Sequence, residues 1–225
     1  MTLTLSDFEK RWGPVYLLLQ LLVVPFAAAL VCVVLSVPSV AAVNLLAFFV
    51  NGALAAFFFR ELLLRSVRSC ARRWGQTLWI AAKGFCLYWI ANMAVNILIL
   101  TVRPDFANVN DAGVNTMIDE FPLLMSLAVV FAVPLAEECL FRGWIFTGLA
   151  RRSLPLAYAV TVLSFAAVHV TGYIGVYDGP TLALCFLQYL APAFVLCQTC
   201  READSLCAPL LLHMTINTIA LFTTR

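Results

Sequence analysis

The stretch PLLMSLAVVFAVPLAEECLFRGWIFTGL, residues 122–149, is apolar over its whole length except for Glu137, Glu138 and Arg142. A helix crosses the hydrocarbon layer with about 20 apolar residues, so the stretch is long enough to span a bilayer. An ionisable group inside such a span costs a few kcal/mol or more, so it faces the bundle interior and marks a functional site. The rest of the chain supplies the bundle. Of its 225 residues 63% are hydrophobic and only 12% are charged, against about half and a quarter in a soluble domain. The mean hydropathy is +0.96. The expected fold is all-α, a polytopic helical bundle in the lipid bilayer.

Seven apolar runs can be marked, at 14–37, 40–62, 77–101, 122–149, 154–171, 181–199 and 206–223. Each reads as a transmembrane helix. The first is too long for a signal-peptide core and reads as a retained anchor. Between the second and third runs Arg60, Arg65, Arg68, Arg72 and Arg73 alternate with leucines, which predicts an amphipathic surface helix. Placing that segment on the cytoplasmic side puts Lys10, Arg11, Arg151, Arg152 and Arg201 there as well. The amino terminus then lies inside and the carboxyl terminus outside. The acidic segment RPDFANVNDAGVNTMIDEF, residues 103–121, becomes an outer loop. No repeat or second domain is visible, so residues 1–225 read as one membrane domain. The net charge of +2 gives no reason to expect a nucleic-acid partner.

The eight cysteines lie mostly in or beside apolar runs, where a thiol acts as a small hydrophobe, and no disulfide framework is expected. Cys197, Cys200 and Cys207 are spaced for thiolate metal binding but lack a fourth ligand nearby.

Helix geometry sorts the three buried charges. Glu138 and Arg142 are four residues apart and share a face, whereas Glu137 is turned by about 100° from its neighbour. Arg142 therefore pairs with Glu138, and Glu137 is left for chemistry. The alternative is a purely structural ion network, for which one glutamate and one arginine suffice. Both histidines of the chain, His169 and His213, also fall in apolar runs. Phe165 precedes His169 by one helical turn, and Asn217 follows His213 by one turn. Glu137 and His169 lie about equally far from the turn near Ser153, so the two arms of that hairpin bring them to one depth. By the same measure His213 sits somewhat nearer the cytoplasm, with Asn217 making up the difference. Pro134 removes a backbone hydrogen bond just ahead of Glu137 and predicts a kink that admits water.

These residues propose a reaction. A carboxylate beside an imidazole can hold and deprotonate a water, with Glu137 and His169 in those roles. His213 and Asn217 can donate to the oxyanion formed when that water attacks a carbonyl. Glu138 and Arg142 support them from behind. Amide hydrolysis at or within the membrane is the implied chemistry.

The ordered set Glu137-Glu138-x-x-x-Arg142, Phe165-x-x-x-His169 and His213-x-x-x-Asn217 resembles the CAAX protease and bacteriocin-processing family, also called CPBP or Abi. The resemblance covers residues 122–223 and implies a glutamic-type intramembrane endopeptidase. It implies a catalytic set of Glu137, His169, His213 and Asn217, with Glu138, Arg142 and Phe165 in supporting roles. Both metal-dependent and metal-free mechanisms have been described for the family. A zinc ion at Glu137, His169 and His213 is the alternative, but a zinc scheme leaves Asn217 idle, so no cofactor is expected. The implied substrate is a membrane-embedded or lipidated peptide. The compact chain resembles prokaryotic members, which implies a prokaryotic cytoplasmic membrane. Two rival readings are a proton-coupled transporter or channel, for which Lys83, Asn92 and Asn96 offer path residues, and a non-catalytic protein that retains membrane peptides.

Overall fold

The computed structural model describes residues 3–223, and its regular elements are all helical. They are α1 (Asp7–Val34), α2 (Val40–Phe58), α3 (Arg60–Arg72), α4 (Trp74–Val102), α5 (Val109–Glu120), α6 (Pro122–Ala150), α7 (Leu154–Thr171), α8 (Gly179–Ala203) and α9 (Cys207–Thr223). Six of them, α1, α2, α4, α6, α7 and α8, are long and apolar enough to cross a membrane. The seventh expected span, α9, has 17 residues. At about 1.5 Å per residue it reaches some 25 Å, short of the hydrocarbon thickness of about 30 Å.

Large apolar side chains cover the outside of the bundle. Phe26, Val34 and Val40 are each 74% exposed, and Trp79, Ile90, Ile97 and Leu123 are similarly bare. Apolar exposure on this scale is untenable in water and natural against lipid tails. The chain is an integral membrane protein.

Polar side chains mark the helix ends. Ser6 caps α1 and closes a capping box with Glu9, Ser39 caps α2, Ser153 caps α7, and Asp178 caps α8 through the Thr181 N–H. Glu9 reaches further, accepting from the Leu62 N–H at 2.6 Å and from Arg65 at 3.0 Å. Leu3 donates its N–H to Asp204, whose left-handed backbone ends α8, and the Leu206 N–H donates to Ser66. Leu5 lies against Gly148 near the end of α6. The amino-terminal segment, α3, the end of α6 and the α8–α9 turn thus gather at one end of the bundle, which brings the basic clusters of these segments to that end.

The opposite end differs from expectation. Residues 109–120, read as loop, form α5, capped by the Asn108 side chain. Its Val109 packs with Val170 and Cys185, and its Ile118 with Ala41 and Met125. The polar composition hides these few buried contacts.

Three wide π-helical stretches interrupt the spans, at Leu19–Val23, Ala128–Ala132 and Glu138–Phe146. The first two stop two residues short of Pro25 and Pro134. A proline offers no N–H to the carbonyl four residues back, and a shift to wider turns relieves the mismatch. The break expected at Pro134 therefore takes the form of π turns on both sides of the short α-helical piece Val133–Glu137. Gly13 lets α1 close on α6, since a Cβ there would run into the Trp144 ring.

Candidate active site

Glu137 and Glu138 stand at the junction where α6 passes from α-helical to π-helical winding. Widened turns of this kind recur at functional sites because they turn side chains out of the regular register. Glu138 and Arg142 are 1% and 0% exposed, and Glu137 is 14% exposed.

Arg142 Nη1 donates to Glu138 Oε1 at 2.9 Å, the pair that the four-residue spacing predicts. Its Nη2 donates to the Ala193 carbonyl on α8 at 3.2 Å, and the guanidinium lies 4.3 Å from the Phe165 ring centroid. Phe165 meets Phe141 edge-on and lies 4.6 Å from the His169 ring. A cation over an aromatic face is attracted by the ring quadrupole, most strongly where water is excluded. Phe165 thus joins the ion pair to the histidine of the same helix.

His169 and His213 both face Glu137. His169 Nε2 is 3.9 Å from Glu137 Oε1, and His213 Nε2 is 3.6 Å from Glu137 Oε2. The hairpin estimate of depth holds for Glu137 and His169. It underestimates His213, which reaches the site itself instead of falling short of it. His213 Nδ1 lies 2.8 Å from Glu138 Oε1, so Glu138 binds the histidine as well as Arg142. Sequence reasoning missed that bond, because no spacing rule links residues 75 positions apart.

Hydrogen bonding fixes one tautomer. His169 Nδ1 is 2.8 Å from the Phe165 carbonyl, which can only accept, so Nδ1 carries the proton and the Nε2 lone pair is turned to Glu137. Asn217 binds back to α6. Its Nδ2 donates to the Val129 carbonyl at 2.9 Å in the π-helical stretch before Pro134, which leaves one amide N–H for another acceptor.

Three further groups adjoin the site. Tyr189 of α8 stacks on His169 with ring centroids 4.1 Å apart. Its hydroxyl donates to Asp111 Oδ1 at 3.0 Å and accepts from Asn110 Nδ2 at 2.9 Å, both on α5. Burial pushes the Asp111 carboxyl above its ordinary range, against the opposing pull of the Tyr189 bond and of His169. The available signals were weak: an Asn108 cap three residues ahead of Asp111, and the adjacent Gln188 and Tyr189 inside an apolar run. Gln188 bridges helices as polar residues in bundles do, donating to Asn96. Lys83, a path residue in the transporter reading, instead pairs with Glu202.

Among the described residues, no group of three or more His, Cys, Asp or Glu side chains is arranged to hold a metal ion. That applies to Glu137, His169 and His213 and equally to Cys197, Cys200 and Cys207. Cys197 and Cys200 are free thiols packed in the core.

Comparison with known proteins shows what the segment carrying this site is similar to. Residues 119–219 match the family described as type II CAAX prenyl endopeptidase Rce1-like, a segment that holds Glu137, Glu138, Arg142, Phe165, His169, His213 and Asn217. A curated relative, the UPF0177 protein YxdF of Lactococcus lactis subsp. lactis (strain IL1403), is 24% identical over 127 residues. The match takes in 56% of this chain and 65% of that relative's length. No solved structure matches. The likeness to the type II CAAX prenyl endopeptidase Rce1-like family thus covers residues 119–219, under half of the chain.

Proposed function

We propose that the protein is an intramembrane endopeptidase of the CAAX type, acting on a membrane-embedded or lipidated peptide by glutamate-activated water. One observation carries the reading: Glu137 stands between two imidazole nitrogens at 3.9 and 3.6 Å, gaps too long for direct hydrogen bonds and suited to a bridging water. The similarity of residues 119–219 to the CAAX prenyl endopeptidase family supports the same substrate class.

In the reaction, a water between Glu137 Oε1 and His169 Nε2 gives one hydrogen bond to each and loses a proton to Glu137 as its oxygen attacks the scissile carbonyl carbon. The carbonyl oxygen takes the negative charge. It accepts from His213 Nε2 and from the remaining amide N–H of Asn217. Because His213 Nδ1 is held by Glu138, donation from Nε2 uses the doubly protonated ring, with the carboxylates of Glu137 and Glu138 on either side of it. Collapse of the intermediate breaks the C–N bond, and the leaving amine takes the proton from Glu137.

Burial gives these groups their strength. Charges and dipoles fixed in a water-poor interior stabilise developing charge more than they do in water, and they need no reorganisation during the step. The test is cleavage in liposomes of matched peptides with and without a prenyl group, the new termini being read by mass spectrometry, with and without a chelator. The reading expects cleavage of the prenylated peptide, unchanged by chelator. Loss of cleavage on chelation would move the mechanism to zinc at Glu137, His169 and His213.

A further inference from the structure

The geometry points to Tyr189 as a positioning residue for His169, itself fixed by Asp111 and Asn110, so that α5, outside the six spans, belongs to the catalytic assembly. The inference rests on the peptidase reading above for its link to rate, but not for its link to His169. Three observations carry it. The Tyr189 ring stacks on the imidazole at 4.1 Å and 26° between planes, and Phe165 makes the second ring contact at 4.6 Å. The Tyr189 hydroxyl is used twice, donating to Asp111 and accepting from Asn110. Next to it, Gln188 accepts from Asn108 Nδ2 at 2.7 Å and donates to Asn96 at 2.8 Å, so consecutive residues of α8 both grip the start of α5.

This arrangement restricts the imidazole. The Phe165 carbonyl fixes only Nδ1, about which the ring could still rock; a face-on stack removes that freedom and keeps Nε2 directed at Glu137. A stack is only as rigid as its partner. Tyrosine, unlike phenylalanine, can be anchored from a second helix through its hydroxyl, and here the anchor is α5.

The chain has two histidines, so ¹⁵N-histidine labelling of the full-length protein in lipid nanodiscs reports two imidazoles, with His213→Gln assigning them. Wild type should give His169 as a single Nδ1–H tautomer. Tyr189→Leu should average its two ring nitrogens and lower kcat about 10-fold or more on a prenylated peptide, with KM within about threefold, as loss of orientation does. Tyr189→Phe preserves the packing should Tyr189→Leu fold poorly, and should show the same changes in smaller degree. Asp111→Asn retains an acceptor for the hydroxyl and should restore the wild-type His169 spectrum, whereas Asp111→Leu should not. Unchanged His169 signals in Tyr189→Leu and Tyr189→Phe would overturn the proposal, as would Asp111→Asn behaving like Asp111→Leu. If the His169 signals respond as described while wild type cleaves no peptide, the positioning role stands and the peptidase reading falls.

Discussion

Glu138 Oε1 lies 2.8 Å from His213 Nδ1 and accepts from Arg142 at 2.9 Å, so one buried oxygen joins α6 to α9. Arg142 extends the junction to α8 through the Ala193 carbonyl. Glu138 and Arg142 thus tie α6, α8 and α9 together at the site, and in the proposed reaction the second glutamate of the pair is the structural one. Removing one partner of a buried ion pair strands the other, at a cost of about 3–5 kcal/mol. Arg142→Leu should lower the thermal unfolding temperature in nanodiscs well below that of wild type and abolish cleavage with it. Near-native stability in that variant would show that Glu138 does not depend on Arg142.

Glu137 stands in contrast to its neighbour. Its Oε2 is buried without a hydrogen-bond partner among the described residues, as expected of a group set aside for chemistry. A buried unsatisfied polar group costs about 1–3 kcal/mol, more when charged. Glu137→Gln should therefore unfold at a higher temperature than wild type while losing activity, the usual exchange between stability and function at a site. A clear fall in unfolding temperature would mean that Glu137 is structural.

Asp111 yields a pH prediction. Burial raises its carboxyl above the ordinary range, so the folded protein favours the protonated form more than the unfolded chain does. That contribution is full below the ordinary carboxylate pKa and is lost as pH rises through the raised one. Asp111→Asn has no proton to lose and still offers an acceptor to Tyr189. Its unfolding temperature should exceed that of wild type at neutral pH, and the gap should close on acidification. A gap that widens on acidification would reverse the sign assigned here.

The sequence makes some of this legible and hides the rest, for physical reasons. A four-residue spacing is enough for Glu138–Arg142 and Phe165–His169, because helical neighbours are fixed by the backbone. Equal arms about one turn are enough to bring Glu137 to His169. The bond from Glu138 to His213 depends on how α9 packs, and Asn217 donating to Val129 depends on the π-helical stretch before Pro134. Neither leaves a local trace. The helix α5 escapes notice because few of its residues are buried, Val109 and Ile118 among them, while Asn110 and Asp111 read as loop until Tyr189 is seen above His169.

In the proposed reaction everything turns on Glu137 as the base. Wild type and Glu137→Gln, reconstituted in liposomes at equal folded concentration and incubated with a prenylated CAAX peptide, test it most directly through new termini counted by mass spectrometry. Wild type should cleave the peptide and the variant should lose about 100-fold or more, the scale on which a positioned acid–base group acts. Equal cleavage by the two proteins would contradict it.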